Sequence, residues 1–135
     1  MKTPQEIVAE MMRLDAFSNW LGIELIHIAK GRCELKMSVT NEMLNGFEIL
    51  HGGISYSLSD SALAFAANAY GNKCVSIETS ISHLKPVGPN EKLKAIATEL
   101  HRGRSLGVYE VSIFNQFDEK ISIFKGTVHI SKEIW

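Results

Sequence analysis

The chain has 135 residues, of which 45% are hydrophobic and 21% are charged. This length allows one domain with a sizeable core and is too short for two ordinary domains, so we expect a single domain over residues 1–135. The 14 lysines and arginines nearly balance the 15 aspartates and glutamates. No basic surplus therefore indicates a nucleic-acid partner, and no acidic surplus indicates a solvating tail.

The cysteine spacing and the amino-terminal sequence indicate where the protein resides. Cys33 and Cys74 lie in apolar, strand-like stretches without metal-ligand or redox spacing, so we expect buried free thiols and a reducing compartment. The first residues are polar, and no apolar run approaches the roughly 18 residues of a membrane span. We therefore expect a cytoplasmic protein without a membrane partner.

The amino-terminal part of the sequence predicts a helix followed by a β-hairpin. Thr3 and Glu6 have the spacing of a capping box, and the apolar periodicity continues to about Phe17. An apolar run over 21–28 and a strictly alternating segment over 32–39 are typical of two antiparallel strands.

The remainder of the chain predicts a long helix followed by four strands. Apolar residues recur at helical spacing from about 51 to 70, and β-rich runs follow over 74–84, 92–100, 107–117 and 120–130. The alternation in the last run slips at Phe124, which indicates either a bulge or a strand buried on both faces. This order of elements predicts an α+β fold with an antiparallel sheet.

The long helix between 51 and 70 has one fully charged side chain, Asp60, among many alanines, serines and glycines. Such small residues allow a strongly curved sheet to wrap the helix closely. No residue one turn from Asp60 is a cation, so a buried carboxylate there is a candidate functional group. The alternative is an ordinary polar stripe with Ser57, Ser61 and Asn68 that faces water or another subunit.

The start of the same helix reads His51, Gly52 and Gly53. Exposed N–H groups at the positive end of a helix suit a developing oxyanion, which predicts a polarising site for a thioester carbonyl. Asn45, in the preceding loop, could orient water or a carbonyl oxygen. The alternative is that a sharp loop-to-helix turn requires the glycines for steric reasons alone.

Six segments carry a resemblance to a known family: residues 43–46 (Met-Leu-Asn-Gly), 51–53 (His-Gly-Gly), 57–60 (Ser-Leu-Ser-Asp), 84–86 (Leu-Lys-Pro), 102–104 (Arg-Gly-Arg) and 108–111 (Val-Tyr-Glu-Val). With these motifs the chain resembles, over nearly its whole length, the hotdog-fold acyl-CoA thioesterases of the phenylacetate-degradation type. The resemblance implies an antiparallel sheet wrapped around the central helix, with the amino-terminal helix on its flank.

The resemblance also implies roles for five residues. Asp60 would act on the thioester as general base or nucleophile, and the backbone N–H of Gly53 would form the oxyanion hole. Asn45 would place the carbonyl or the water, and His51 would support the loop. Ser80, where family members often have threonine, would assist beside the carboxylate.

In this family the site is shared between two subunits, so the resemblance implies a homodimer as the active unit and a homotetramer built from two dimers. The substrate would be an aryl-acyl or medium-chain acyl-CoA, and coenzyme A belongs to the substrate rather than being a cofactor. Candidate substrate-binding residues are Gly52, Phe47 and Tyr56 around the acyl group and Lys85, Arg102 and Arg104 near the nucleotide phosphates. The alternatives are plain core positions and solvated loop charges.

Two other functions remain open. A hotdog-fold dehydratase or hydratase of 3-hydroxyacyl thioesters would pair His51 with Asp60, and a non-catalytic module would bind acyl-CoA without cleaving it. The other histidines, His27, His83 and His101 among them, have no ligand spacing, so we expect no metal site.

Overall fold

The computed structural model describes all residues, 1–135, as three α-helices and six strands. The helices are α1 (Pro4–Leu14), α2 (Ala16–Leu21) and α3 (Gly52–Asn68), with a 3-10 turn at Asn41–Met43. The strands are β1 (Glu24–Ala29), β2 (Arg32–Ser38), β3 (Asn72–His83), β4 (Lys92–Arg102), β5 (Leu106–Phe114) and β6 (Lys120–Ile134). No helix is both long enough and apolar enough to cross a membrane.

The amino-terminal helix is interrupted, so the prediction of one helix to Phe17 is wrong. Thr3 and Glu6 form the expected capping box at the start of α1. Asp15 then leaves the helical conformation, with φ −91° and ψ 82°, and its carboxylate accepts the N–H of Ser18 at 2.9 Å. Asp15 is therefore the N-cap of a second helix, because a short acidic side chain competes for backbone N–H groups.

The six strands form one antiparallel sheet in the order β1-β2-β4-β5-β6-β3. The predicted α+β arrangement, with an antiparallel sheet around a central helix, is confirmed. β1 and β3 are the two edge strands, and β3 is the longer, with 12 residues. Its outer edge carries unpaired backbone groups, a feature that folded proteins usually cover or pair.

The last strand contains a bulge, but it lies at Ile121 and not at Phe124, where the alternation slips in the sequence. Ser122 pairs with Ile113 while Lys120 pairs with Phe114, which leaves Ile121 as the extra residue. Ile121 and Ser122 are consecutive and both buried, as expected where a bulge rotates the strand. The strand also continues to Ile134, beyond the predicted end at 130, because Asn72 at the start of β3 pairs with it.

The core lies between α3 and the concave face of the sheet. Leu58, Leu63 and Phe65 of α3 are almost completely buried, and so are both cysteines, which confirms their prediction as buried free thiols. A side chain at Gly126 on β6 would collide with Leu63. The small residues of helix and sheet therefore allow the close wrapping that the sequence predicted.

Candidate active site

The amino-terminal end of α3 presents one free backbone donor. His51 is the N-cap, with φ −62° and ψ 132°, and its Nδ1 accepts the N–H of Gly53 at 2.9 Å. The N–H of Ile54 bonds the His51 carbonyl, also at 2.9 Å, whereas the N–H of Gly52 has no acceptor in the chain. The structure therefore offers Gly52, and not the predicted Gly53, as the donor for an oxyanion, because the N-cap side chain already occupies the second glycine.

A tight loop places Asn45 beside this helix end. The Asn45 side-chain oxygen accepts the N–H of Phe47 at 2.9 Å and that of Ile49 at 3.4 Å. The backbone N–H of Asn45 bonds the carbonyl of Ile49 at 2.8 Å, which closes the loop. Since the oxygen is engaged within the loop, the amide N–H groups of Asn45 are its free donors.

The free donors open into a cavity of about 370 Å³. Its polar lining residues are Asn45, Gly52, Ser55, His83 and Lys85, and apolar side chains such as Ile49, Val87 and Ile121 form much of the rest. A larger cavity of about 510 Å³ lies at the end of α2, beside Trp20, and contains none of the predicted site residues. We take the smaller cavity as the candidate site because hydrogen-bond donors converge there.

Sequence reasoning misses Ser55 and His83 at this cavity. From the sequence, His83 is weighed only as a metal ligand, and Ser55 only as a small helix residue. Only the three-dimensional arrangement identifies these two residues. β3 ends beside the start of α3, and the histidine at that strand end faces the helix. No group of three or more potential metal ligands is present.

Asp60 lies on a stripe of α3 that the sheet of its own chain covers only in part. Tyr56, Ser57, Asp60 and Ser61 are all partly exposed, while Leu58, one of the residues on the opposite side of the helix, is buried. Burial raises the pKa of the Asp60 carboxyl, and the Ser76 hydroxyl lowers it in partial compensation. Asp60 takes part in none of the ion pairs of the chain. It is therefore a partly desolvated carboxylate without a cation, a feature of functional sites.

The structure brings Ser76, and not Ser80, to Asp60. Ser76 pairs across the sheet with Val128, which is buried against α3, whereas Ser80 pairs with the exposed Lys125. Paired residues share a face of the sheet, so Ser80 projects away from the helix. The register shifts between Ser76 and Glu78, and this bulge changes which residues face inward; counting along the sequence could not detect it.

Within one chain the hydrogen-bond donors at the start of α3 and the carboxylate of Asp60 do not meet. Asp60 follows Gly52 by eight residues on the same helix, a separation of about 12 Å along the axis. Asp60 is also absent from the lining of the cavity that contains Asn45 and Gly52. One chain therefore supplies a donor half and a carboxylate half that face different directions.

The three predicted basic residues lie in different places. Lys85 lines the cavity and forms an ion pair with Glu119. Arg102 lies at the opposite end of α3, where its Nη1 donates to the carbonyl of Ala67 at 3.3 Å. Its guanidinium also stacks 3.8 Å from the ring centre of Tyr70. Arg102 thus caps the negative end of the helix and is not brought to the cavity.

Three other predicted residues lie outside the cavity of this chain. Arg104 is exposed in the turn between β4 and β5. Phe47 is 84% exposed on the loop that follows Asn45. Tyr56 packs edge-on against Phe124, with ring centres 5.4 Å apart, and its hydroxyl contacts Thr79.

A family model described as "Thioesterase superfamily" matches residues 47–122 of the chain. This span includes the start of α3, Asp60, Ser76 and His83.

Two comparisons concern a protein of Escherichia coli (strain K12). The sequence of acyl-coenzyme A thioesterase PaaI is 37% identical over 119 residues, which cover 88% of this chain and 85% of that protein. The solved structure of the E. coli PaaI protein from the phenylacetic acid degradation operon superposes with a TM-score of 0.94 at 34% identity. That superposition covers 97% of this chain and 95% of the other.

A variant of the phenylacetic acid degradation protein PaaI from Thermus thermophilus is also similar in structure. Its TM-score is 0.82 at 30% identity, with 85% of this chain and 98% of that chain covered.

Proposed function

The chain belongs to the thioesterase superfamily with the hotdog fold and is an acyl-CoA thioesterase, and we propose that its substrates carry an aryl or medium-length acyl group. Phenylacetyl-CoA and hydroxyphenylacetyl-CoA are the leading candidates, because both similar PaaI proteins belong to phenylacetic acid degradation. The products are the free acid and coenzyme A. The observation that supports this function best is the free Gly52 N–H at the positive end of α3, inside a cavity of suitable size.

The donor half of the site polarises the thioester. The carbonyl oxygen accepts the Gly52 N–H, which lies at the helix end where the backbone dipole favours negative charge. The free amide N–H groups of Asn45 line the same cavity and place the carbonyl or the water. These donors stabilise the negative charge that develops on the oxygen.

The carboxylate half is Asp60. Partial burial raises its pKa, which makes the carboxylate a stronger base than an exposed aspartate. It either removes a proton from the attacking water or attacks the carbonyl carbon to form a transient anhydride. Both routes require the deprotonated carboxylate.

A second copy of the chain joins the two halves, with Asp60 of one protomer facing Asn45 and Gly52 of its partner. The support for this arrangement is the separation of about 12 Å within one chain and the unpaired edge of β3. Two side chains of that strand, Val75 and Ile77, are 64% and 58% exposed. A long edge of this kind is suited to pairing with the same strand of another copy. We propose a homodimer as the active unit, and a homotetramer formed from two such dimers.

The cavity lining favours a compact apolar acyl group. A volume of about 370 Å³ accommodates an aromatic ring or a medium chain beside the polar end formed by Asn45 and Gly52. Lys85 at the rim has the charge to contact a phosphate of coenzyme A, in exchange for its ion pair with Glu119.

The hydratase alternative finds no support in the site geometry. His51 is the N-cap of α3 and its Nδ1 is occupied by Gly53, whereas Asp60 lies more than two turns further along the helix. In the shared site proposed above, Asp60 faces Asn45 and Gly52 of the other protomer, and the bond between His51 Nδ1 and the Gly53 N–H leaves this histidine in a capping role. Incubation with an enoyl-CoA should therefore give no hydrated product.

The function is tested by thiol release from phenylacetyl-, hydroxyphenylacetyl-, medium-chain and acetyl-CoA. Wild type should release thiol fastest from the aryl or medium-chain substrates, and Asp60→Asn should reduce turnover by at least about 10²-fold. Asp118→Asn makes the same chemical change in an exposed turn and should leave turnover unchanged. Acyl-CoA binding without thiol release by the assembled wild type would instead favour a non-catalytic module.

A further inference from the structure

His83, the last residue of β3, lies directly beside the free donor of the candidate site. An added Cβ at Gly52 would be 2.9 Å from the His83 Nε2 and 3.2 Å from its Cε1, so the edge of the imidazole forms the wall next to the Gly52 backbone. On its other side, Nδ1 is 3.4 Å from the hydroxyl oxygen of Ser55. The ring thus lies between a buried serine and the position where a thioester carbonyl would bind.

The hydrogen bonds of Ser55 define which ring nitrogen carries the proton. The Ser55 hydroxyl donates to the Gly52 carbonyl oxygen at 3.1 Å, and a hydroxyl has only one hydrogen to donate. The Gly52 carbonyl is the nearer of its two contacts, so we assign the hydrogen to that bond and the Ser55 oxygen as the acceptor of the Nδ1–H of His83. In the neutral ring the remaining nitrogen, Nε2, is then an acceptor that faces the Gly52 backbone.

The residue opposite His83 on the neighbouring strand provides a second, independent observation. Ser122 on β6 is the cross-strand partner of His83, is completely buried, and its hydroxyl has no hydrogen-bond partner. Buried polar groups without partners are uncommon in folded proteins. The residue paired with His83 thus carries an unsatisfied hydroxyl, the kind of group that a bound water completes in folded proteins.

We propose that the Nε2 of His83 accepts a hydrogen bond from the water that attacks the thioester, and that Ser55 positions the ring for this purpose. The proposal rests on the thioesterase function above. The water oxygen forms a bond to the carbonyl carbon while one of its protons passes to the Asp60 carboxylate of the partner protomer. The carbon–sulfur bond then breaks, and that proton passes to the departing thiolate. The second hydrogen of the water, held by Nε2, orients the oxygen lone pair towards the carbon.

The test compares variants with and without an acceptor at this position. His83→Phe keeps a ring but removes both nitrogens, and we expect kcat to fall about ten-fold, as for loss of one hydrogen bond. KM should change by less than about two-fold, because the water is not part of the substrate. His83→Gln restores an acceptor oxygen near the Nε2 position and should retain kcat within about three-fold of wild type. Ser55→Ala leaves the histidine without its anchor and should lower kcat by about three-fold.

His27→Phe, the same change at an exposed histidine on the opposite edge strand, is the matched control and should behave as wild type. Retained kcat in an assembled His83→Phe variant would overturn the proposal. So would a rise in KM at constant kcat, because that result would assign His83 to substrate binding. If the wild type itself released no thiol, the thioesterase function would fail; a normal wild type with an unaffected His83→Phe variant would refute only the role of His83.

Discussion

The N–H of Gly53 donates to Nδ1 of His51 at 2.9 Å, and this bond gives the two adjacent glycines different roles. The second glycine helps to cap α3, whereas the N–H of the first, Gly52, has no acceptor and opens into the cavity. The His-Gly-Gly motif therefore contains one structural and one available donor.

This division predicts that removing the Gly52 N–H abolishes most of the activity. Proline is tolerated at the first position of a helix, and His51 already has the extended conformation that a following proline requires. Gly52→Pro should therefore fold and should lower kcat by about 10²-fold relative to Gly52→Ala, the typical effect of losing one oxyanion donor.

Gly52→Ala is the matched control because it adds a Cβ at the same place but keeps the N–H. In both variants the added carbon approaches the end of the His83 side chain, which can move. Equal kcat in the two assembled variants would show that the Gly52 N–H is not used in the reaction.

Much of the architecture could be predicted from the sequence because it depends on local patterns. The capping box at Thr3 and Glu6, the hairpin before residue 39 and the long helix around Asp60 all follow from spacing and periodicity. The break at Asp15 could not be predicted in this way. An aspartate inside a helix and an aspartate that caps a new helix look the same in the sequence, and the difference appears only when the path of the backbone is known.

The residues around the carboxylate are harder to predict because they depend on sheet register. The resemblance implies Ser80 beside Asp60, but one extra residue near Ile77 places Ser76 there instead. The choice between Gly52 and Gly53 depends on a side-chain hydrogen bond to His51, which is a matter of rotamer and not of spacing. The role of Arg102 is likewise determined by its proximity to the end of α3.

Replacing Ser76 and replacing Ser80 should have different effects on the pH dependence of catalysis. The Ser76 hydroxyl lowers the pKa of Asp60, so Ser76→Ala should raise that pKa further. Because the reaction needs the carboxylate, the acidic limb of kcat/KM should move to higher pH. The measurement is thiol release from acidic to neutral pH. Ser80→Ala, on the outer face of the sheet, should leave the limb in place; a shift in that variant alone would reverse the assignment.

The raised pKa of Asp60 also predicts how stability depends on pH. A carboxyl whose folded-state pKa lies above its unfolded value of about 3.9 stabilises the fold below that value, and this contribution is lost as pH rises through the folded pKa. At neutral pH, Asp60→Asn should therefore have a higher Tm than wild type, and the difference should shrink in acid. Calorimetry at neutral and acidic pH tests this expectation. A lower Tm for the variant at neutral pH would contradict it.

The proposed sharing of the site between two protomers predicts that two inactive variants restore activity when they form mixed dimers. Asp60→Asn lacks the carboxylate and Gly52→Pro lacks the donor, but a mixed dimer contains one site with Asp60 from one protomer and Gly52 from the other. Random reassortment of equal amounts should therefore recover about a quarter of the wild-type sites, since half of the dimers are mixed and each has one intact site. The mixture is prepared by coexpression or by refolding together, and thiol release is compared with that of each variant alone.

Charged residues on the β3 edge provide the control for this experiment. Val75 and Ile77 are exposed in the single chain, so Val75→Lys with Ile77→Lys should prevent pairing of the two edges and give an inactive monomer in light scattering. The same pair of lysines added to both complementing variants should abolish the recovered activity. A doubly substituted protein that is monomeric yet fully active would contradict the shared site. Gly52 and Asp60 of one chain would then have to act together, although they are separated along α3.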